Sequence, residues 1–304
     1  MGKDEHGNSR SFVSHIRFRQ LILTAVCFLV FFLNLGGWDL WDPDEPRYAE
    51  VAREMLISGN WTLPHLNGEI YFHKPPFFFW LIALSTKVWG EISSFAARFP
   101  SALFASLTVF LTYWFGKKIF NRRAGLISAL ILATNVEFVW LARRANIDAT
   151  LTFFTTLTII SFYLAIRHPN RRFLLYFIGF LSMGVGFLTK PQVACIVPGL
   201  TIIIFIIATR ESHVFKEKKL FLSFIAFLLP VFAWLAAAYY LGGNEYLKQL
   251  LYHKTTAIFF EKVSHPKPFY YYLKNFPFDF FPGLFFCQEP LFWPSGRLTG
   301  NGRK

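Results

Sequence analysis

Long runs of uncharged, apolar residues constrain this chain more than any other feature of its sequence. They cover residues 21–38, 99–115, 124–141, 150–166, 173–189, 193–209 and 220–241. Each run is long enough for an α-helix to cross about 30 Å of hydrocarbon. Hydrophobic residues make up 54% of the chain and charged residues 16%, which excludes a disordered chain, a collagen and a coiled coil. The sequence therefore predicts an all-α fold, a polytopic transmembrane helix bundle with these seven crossings.

The positions of the basic residues predict the orientation of this bundle. Short cytoplasmic loops of membrane proteins collect Lys and Arg. With the N-terminus in the cytoplasm, the inner loops carry Lys117, Lys118, Arg122, Arg123, Arg167, Arg171, Arg172, Arg210, Lys216, Lys218 and Lys219. This orientation explains most of the net charge of +13, and no nucleic acid partner is predicted.

The first outer loop, residues 39–98, is acidic where the inner loops are basic. Its first part, residues 39–74, carries Asp39, Asp42, Asp44, Glu45, Glu50, Glu54 and Glu69. Residues 75–86 within it are apolar but too few for a crossing. Counting them as a span would also place the two most basic loops outside. They are predicted to form an interfacial or re-entrant helix.

Four segments follow from this topology. They are a cytoplasmic N-terminal segment (1–20), a transmembrane domain (21–241), a second outer loop (242–275) and an atypical C-terminal tail (276–304). The second outer loop departs from the charge rule, since it carries Lys248, Lys254, Lys262, Lys267 and Lys274. Either residues 220–241 do not cross the membrane as counted, or these lysines face an anionic ligand. The second alternative is favoured because that run is long and only Pro230 interrupts it.

A helix is predicted to begin after the acidic pair Asp44 and Glu45, because Pro46 is favoured at the first turn. Its apolar residues follow helical spacing and would form one face lying along the membrane surface. They are Tyr48, Val51, Ala52, Met55 and Leu56. Carboxylates at a helix N-terminus are stabilised by about 0.3 to 1 kcal/mol. Helix capping and a catalytic role therefore remain alternatives for this pair.

Other charged residues fall on the same predicted side of the membrane. His73 and Lys74 open the short apolar stretch, while Asp148 and Lys190 stand at the ends of later spans. Such residues often only snorkel or cap a helix, but ionisable groups at the membrane edge are functional candidates. Cations beside carboxylates suit a reaction in which a hydroxyl attacks and a phosphate leaves. A transporter or channel is disfavoured because nearly all spans lack charge.

The first outer loop resembles that of a known family. Residues 42–50, 58–68 and 71–76 are similar to the corresponding loop of the aminoarabinose transferases that modify lipid A. These enzymes belong with the protein O-mannosyltransferases to the GT-C type, glycosyltransferases that use lipid-linked sugars. Weaker similarity continues in the family's order as far as residue 286. The resemblance implies a GT-C bundle with a long first outer loop that carries interfacial helices.

The resemblance also implies a reaction. It is an inverting transfer of a sugar from a polyprenyl-phosphate donor to lipid A, a protein or a glycan, on the outer face of the inner membrane. The acids Asp44 and Glu45 match the family's catalytic pair. The implied donor-phosphate residues are Arg47, Tyr48, Lys74 and Lys190. A polyprenyl-phosphate-binding or transport protein without transferase activity is the alternative function.

Three departures from the family pattern qualify these expectations. His73 replaces a glutamate that is common in aminoarabinose transferases, and histidine can bind zinc, so His73 and Asp148 are candidate ligands for a divalent metal ion. Lys190 precedes proline where the family usually has glycine. Family members are nearly twice as long, and the sequence after residue 286 no longer resembles them. The chain is therefore expected to be a truncated form or an N-terminal half.

Overall fold

The computed structural model describes residues 18–259 and 270–281, without the side chains of residues 251–259, 272 and 273. Most of the predicted N-terminal segment and C-terminal tail lies outside these ranges. So does the part of the second outer loop that contains Lys262 and Lys267. The described residues form a helical bundle with one two-stranded hairpin.

The predicted first outer loop contains the short elements. They are α2 (Asp44–Ser58), the antiparallel strands β1 (His65–Leu66) and β2 (Glu69–Ile70), and α3 (Phe77–Trp89). The remaining helices are α1 (Phe18–Phe32), α4 (Ser94–Ile119), α5 (Arg122–Ala133), α6 (Val136–Ala142), α7 (Ile147–Arg167), α8 (Arg172–Phe187), α9 (Pro191–Ala208), α10 (Lys218–Ser223), α11 (Ile225–Phe259) and α12 (Tyr271–Asp279). Short 3₁₀ helices, Pro169–Arg171 and Ser212–Lys216, join some of them.

The predicted all-α membrane bundle is confirmed, with fewer uninterrupted crossings than expected. Among the described residues, 4 helical segments are long and apolar enough to span a membrane. They are Ser94–Ile119, Ile147–Arg167, Pro191–Ala208 and Lys218–Leu250. Helices α5 and α6, bent by 66°, form a fifth if the pair is one span. The predicted runs 21–38 and 173–189 correspond to shorter described helices, α1 and α8.

A single residue explains why the run 124–141 does not form one straight helix. The side chain of Asn135 accepts a hydrogen bond from the backbone N–H of Phe138 at 2.9 Å, and so caps the start of α6. A cap residue has non-helical backbone angles, which ends α5 and lets α6 leave at a new angle. Hydropathy alone carries no sign of this break.

Helix α3 agrees with the expectation for residues 75–86. Its 13 residues span about 20 Å at 1.5 Å per residue, which is less than the hydrocarbon core of a bilayer. The predicted apolar face of α2 is present, but the expectation that it lies along the membrane surface is wrong. Within the protein that face is buried against α3, where Tyr48 and Met55 belong to the same core cluster as Phe78 and Ile82.

A second core cluster joins α1, α4, α5 and α6. Helices α4 and α5 approach each other closely through glycines. A Cβ atom added to Gly116 would lie 2.9 Å from the Cα of Gly125, and one added to Gly125 would lie 2.6 Å from the backbone nitrogen of Lys117. The turn between these two helices therefore has no room for a methyl group on either residue.

Candidate active site

A cavity of about 1050 Å³ lies where α2, the β-hairpin and the N-termini of α7 and α9 meet. The sequence-predicted residues that line it are Asp44, Arg47, Tyr48, His73, Lys74, Asp148 and Lys190. Residues from four separate stretches of the chain thus come together, as their shared side of the membrane predicted. Glu69, Asn146 and Gln192 also line the cavity, and the sequence did not single them out.

The first turns of α2 supply three of these side chains. Asp44, Arg47 and Tyr48 lie three and four positions apart, which places them on one face of the helix. Arg47 donates to the Asp44 carboxylate at 3.3 Å, and both side chains are exposed. Burial, and then the nearby charge of Asp44, raise the pKa of Tyr48 well above its usual range. This tyrosine therefore remains a neutral hydroxyl beside the carboxylate.

An ion pair links the helices on the opposite side of the cavity. The Lys190 Nζ atom lies 2.9 Å from a carboxylate oxygen of Asp148, and both side chains are partly exposed. Lys190 immediately precedes α9, and Asp148 lies in the first turn of α7. The side chain of Asn146 caps α7 by accepting a hydrogen bond from the backbone N–H of Asp148. The cap and the ion pair together hold the N-terminal ends of α7 and α9 in place on this side of the cavity.

Lys74 differs from Lys190 because it has no ion pair or hydrogen bond in the part of the chain that the structure describes. Burial lowers its pKa, and the positive charge of Lys190 lowers it further, while Asp148 and Asp44 act in the opposite direction. A partly desolvated ammonium without a counterion is a good binding group for an anion. Lys74, Lys190 and Arg47 therefore give one cavity three cations that can face a phosphate.

The β-hairpin forms the rim of the cavity through Leu66 and Glu69. Its two turn residues, Asn67 and Gly68, have φ angles of 55° and 80°, as a tight two-residue hairpin turn requires. Both backbone N–H groups donate to the carboxylate of Glu54, at 2.5 Å and 3.2 Å. A residue of α2 thus holds the hairpin tip over the cavity. Sequence reasoning missed this connection.

Glu45 occupies a different environment from Asp44 and does not line this cavity. It is almost fully buried, and its carboxylate pairs with Arg98 at 2.8 Å. It also accepts hydrogen bonds from the backbone N–H groups of Trp41 and Ala145, both at 2.6 Å. Burial alone would raise the pKa of Glu45, but the hydrogen bonds outweigh it and hold the pKa below its ordinary value. The two acids were expected to act as one catalytic pair, but only the Asp44 carboxylate lies in the cavity.

Arg98 completes this buried arrangement. Its side chain is fully buried and also donates to the backbone carbonyls of Leu35, Trp38 and Asp39. One guanidinium thus ties the loop after α1 to the start of α2. Successive helix positions point about 100° apart, which explains why Glu45 faces Arg98 while Asp44 faces the cavity.

The described residues do not provide a complete metal site. His73 and Asp148 line the same cavity, but Asp148 is already paired with Lys190. No cluster of three or more His, Cys, Asp or Glu side chains in the described ranges is placed to hold a metal ion. The metal-binding role of His73 and Asp148 stays a prediction.

The described residues thus form a polytopic helical bundle in which carboxylates and cations from four stretches of the chain line one cavity. Comparison with known proteins identifies the family. Residues 73–236 match the family model described as dolichyl-phosphate-mannose-protein mannosyltransferase. The chain belongs to this GT-C family, which confirms the resemblance found in the sequence.

The matched relatives include aminoarabinose transferases. An undecaprenyl phosphate-α-4-amino-4-deoxy-L-arabinose arabinosyl transferase of Pseudomonas savastanoi is 34% identical over 85% of this chain and 49% of its own length. The protein of the same name from Wigglesworthia glossinidia is 30% identical over 92% of this chain and 50% of its own length. The chain therefore spans about half the length of the curated relatives it matches.

A solved structure shares the fold. The crystal structure of ArnT from Cupriavidus metallidurans bound to undecaprenyl phosphate matches with a TM-score of 0.77 at 26% identity. The match covers 88% of this chain and 50% of that chain. The predicted GT-C helix bundle is confirmed.

Proposed function

We propose that this chain contains the catalytic site of a membrane glycosyltransferase that moves a sugar from a polyprenyl-phosphate donor to an acceptor hydroxyl or phosphate. One observation carries the proposal. The carboxylate of Asp44 and the ammonium of Lys74, which is without a counterion in the described ranges, line the same cavity. A carboxylate can accept a proton, and the cation can stabilise a leaving phosphate.

The cations of the cavity define the donor site. Lys74, Lys190 and Arg47 bind the phosphate of the donor, and the neutral hydroxyl of Tyr48 lies beside them. The names of the relatives and the undecaprenyl phosphate in the ArnT crystal structure support a polyprenyl phosphate as the lipid part. The same names favour an aminoarabinose as the sugar.

The reaction follows from these positions. An oxygen of the acceptor attacks the anomeric carbon from the side opposite the phosphate. The bond between that carbon and the phosphate oxygen breaks, and the phosphate leaves with the bonding electron pair. Where the acceptor is a hydroxyl, Asp44 takes its proton. Configuration at the anomeric carbon is inverted, and Lys74 stabilises the charge of the departing phosphate.

Glu45 has a positioning role in this proposal. Its carboxylate is occupied by Arg98 and by two backbone N–H groups, so it has little capacity left for a substrate proton. By fixing the first turn of α2, it sets the direction in which Asp44 points into the cavity.

We place the cavity on the outer face of the inner membrane, with the N-terminus in the cytoplasm. The support is the charge of the opposite end of the bundle. There, Lys117 and Lys118 lie in the last turn of α4, and Arg167 lies in the last turn of α7. Basic residues of this kind favour the cytoplasmic side. The candidate acceptors on the outer face are lipid A, a protein hydroxyl and a glycan.

A transfer assay with a radiolabelled polyprenyl-phosphate sugar tests the proposal. We expect the purified chain to move label to an acceptor and Asp44→Asn to reduce transfer by a factor of about 10² to 10⁴ while the donor still binds. Donor binding without any transferred label in the wild type would instead support the non-catalytic, polyprenyl-phosphate-binding alternative. Full activity in Asp44→Asn would remove Asp44 from the mechanism.

A further inference from the structure

A short turn at the end of the bundle opposite the candidate active site is densely basic. Helix α4 ends at Ile119 and α5 begins at Arg122, and residues 117–123 around these ends are called the basic turn. Its cations are Lys117, Lys118, Arg122 and Arg123. The close contact between Gly116 and Gly125 holds the two helix ends together, so the charges share one corner of the protein.

The basic turn has no acidic neighbours along the chain. The sequence contains no Asp or Glu from residue 92 to residue 136. In the part of the chain that the structure describes, Lys117, Lys118 and Arg123 form no ion pair. Like charges held this close repel one another, so a bound anion would stabilise the turn.

The other basic loops at this end of the bundle provide a contrast. Arg172, at the start of α8, forms an ion pair with Glu217, which lies just before α10. The two ring nitrogens of His213 lie 3.3 Å from a carboxylate oxygen of Glu211 and 3.6 Å from one of Glu217. These loops therefore supply counterions of their own, whereas no described acid pairs with Lys117, Lys118 or Arg123 of the basic turn.

A fifth cation, Arg19, lies near the same corner. Leu23 of α1 belongs to the same core cluster as Tyr113 of α4, and Arg19 lies one turn before Leu23 on the same face of α1. Arg98, at the start of α4, bonds to the carbonyl of Leu35 after α1, so the two helices run in opposite directions. Arg19 is therefore near the last turns of α4. Its Nη1 atom is buried without a hydrogen-bond partner, and an oxyanion would satisfy it.

An exposed apolar stripe of α4 leads to these cations. Leu103, Leu107 and Trp114 are exposed, and their spacing places them on one face of the helix together with Lys118. The stripe is about 22 Å long at 1.5 Å per residue, which is more than one leaflet of a hydrocarbon core of about 30 Å. The Nζ atom of Lys118 lies 5.3 Å from the ring centroid of Trp114. Charged and apolar surfaces therefore adjoin.

This combination favours a lipid over a soluble anion. Basic pockets between membrane helices on the cytoplasmic side bind anionic lipid head groups. The stripe on α4 gives an acyl chain a surface that continues directly into the cations. An acidic peptide would match the charge of the basic turn and leave the apolar stripe uncovered.

We propose that the basic turn binds an anionic phospholipid, with the lipid phosphate on Lys117, Lys118 and Arg123 and one acyl chain along the exposed stripe of α4. Arg19 donates to the same head group. The lipid thus neutralises the corner where α1, α4 and α5 meet. The orientation proposed above places this lipid in the cytoplasmic leaflet, but the site itself does not depend on the proposed transferase function.

Native mass spectrometry of the full chain in non-ionic detergent measures this binding directly. The probe is dioleoyl phosphatidylglycerol, and dioleoyl phosphatidylethanolamine is the matched lipid without net charge. We expect tighter binding of phosphatidylglycerol. The triple variant Lys117→Gln, Lys118→Gln, Arg123→Gln should weaken it by about 100-fold, since each basic residue beside an anionic lipid contributes about fivefold. Phosphatidylethanolamine affinity should not change.

A second triple variant, Arg171→Gln, Lys216→Gln, Lys219→Gln, is the matched control. These residues are exposed in the other basic loops, so the same charge is removed elsewhere at this end of the bundle. Phosphatidylglycerol affinity should stay that of the wild type.

Arg19→Met tests the site even if the first triple variant fails to fold. It removes a buried donor that has no partner, so the lipid-free chain should unfold at the same temperature as the wild type or higher. The increase in unfolding temperature that phosphatidylglycerol gives should become smaller.

Each of four results would overturn the proposal. They are equal affinity of the wild type for the two lipids, an equal loss of phosphatidylglycerol affinity in the two triple variants, undiminished stabilisation of Arg19→Met by phosphatidylglycerol, and displacement of that lipid by a hexaglutamate peptide. The last result would assign the basic turn to an acidic protein partner. A chain that binds phosphatidylglycerol but transfers no sugar would contradict the proposed function and leave the lipid site standing.

Discussion

Two neighbouring acids, Asp44 and Glu45, point in different directions from the first turn of α2. The Asp44 side chain is 56% exposed and has one ion pair, to Arg47 at 3.3 Å. The Glu45 side chain is 3% exposed and accepts hydrogen bonds from Arg98, Trp41 and Ala145. The same functional group, a carboxylate, thus has two different roles in this turn. One carboxylate can exchange a proton with a ligand, and the other holds the helix that carries it.

The largest expected effect comes from breaking the buried pair on the Glu45 face. Arg98→Met leaves the Glu45 charge buried without its partner, which should lower the free energy of unfolding by about 3 to 5 kcal/mol. Denaturant unfolding in detergent measures this loss. Replacing both residues by leucine should be milder than either single change. If the double variant loses as much free energy of unfolding as the two single variants together, the two side chains do not interact.

On the cavity face, the next largest effect is catalytic. Asp44→Asn should reduce sugar transfer by a factor of about 10² to 10⁴, the usual contribution of a general base. Its free energy of unfolding should remain that of the wild type. Glu50→Gln is the control, because Glu50 lies on the same helix and pairs with Arg53 away from the cavity. An equal loss of activity in both variants would contradict a specific role for Asp44.

A smaller effect concerns the donor phosphate and its dependence on pH. Lys74 binds phosphate as a cation, and burial lowers its pKa. The cation is therefore present at low pH and is lost as the pH rises through a value below the usual pKa of about 10.4. Undecaprenyl phosphate affinity should fall over that range.

Two variants identify the group responsible for this pH dependence. Lys74→Arg should keep the affinity constant through the same range, because arginine stays charged. Lys74→Met should bind weakly at every pH, with about the affinity that the wild type has once Lys74 is neutral, and should remove the dependence. Persistence of the wild-type profile in Lys74→Met would assign it to another residue.

The smallest expected effect lies at the hairpin. Glu54→Gln weakens the acceptor for the N–H groups of Asn67 and Gly68. The loss should be about 1 kcal/mol, seen as faster amide hydrogen exchange at these two residues. Glu91→Gln, in the exposed turn after α3, is the matched control. Unchanged exchange in Glu54→Gln would show that the strand pairing alone holds the turn.

The sequence predicted the helical bundle and most of the candidate site for a simple reason. Hydrophobic length and loop charge report where a segment lies relative to the membrane, and this information placed Lys74, Asp148 and Lys190 on one side with Asp44. The residues then share one cavity because the end of a bundle offers limited space. The donor-phosphate and catalytic roles themselves stay predictions.

Partners could not be predicted in the same way. Periodicity shows which face of a helix is apolar, but it does not show that Glu45 meets Arg98, which is 53 positions away. The same limit applies to the hydrogen bonds from the hairpin to Glu54, and to Arg144, which stacks on both Trp41 and Trp140. The break at Asn135 escaped notice because one capping residue hardly changes the hydropathy of a long run.

The contact between Gly116 and Gly125 has a consequence for how this sequence can vary. Neither glycine has room for a Cβ atom, so no single substitution at either position is neutral while the helices keep their spacing. A viable change requires a compensating shift of the whole α4–α5 pair. Libraries of variants made from this chain should therefore be depleted of all nineteen alternatives at both positions, even though neither residue lines the candidate active site.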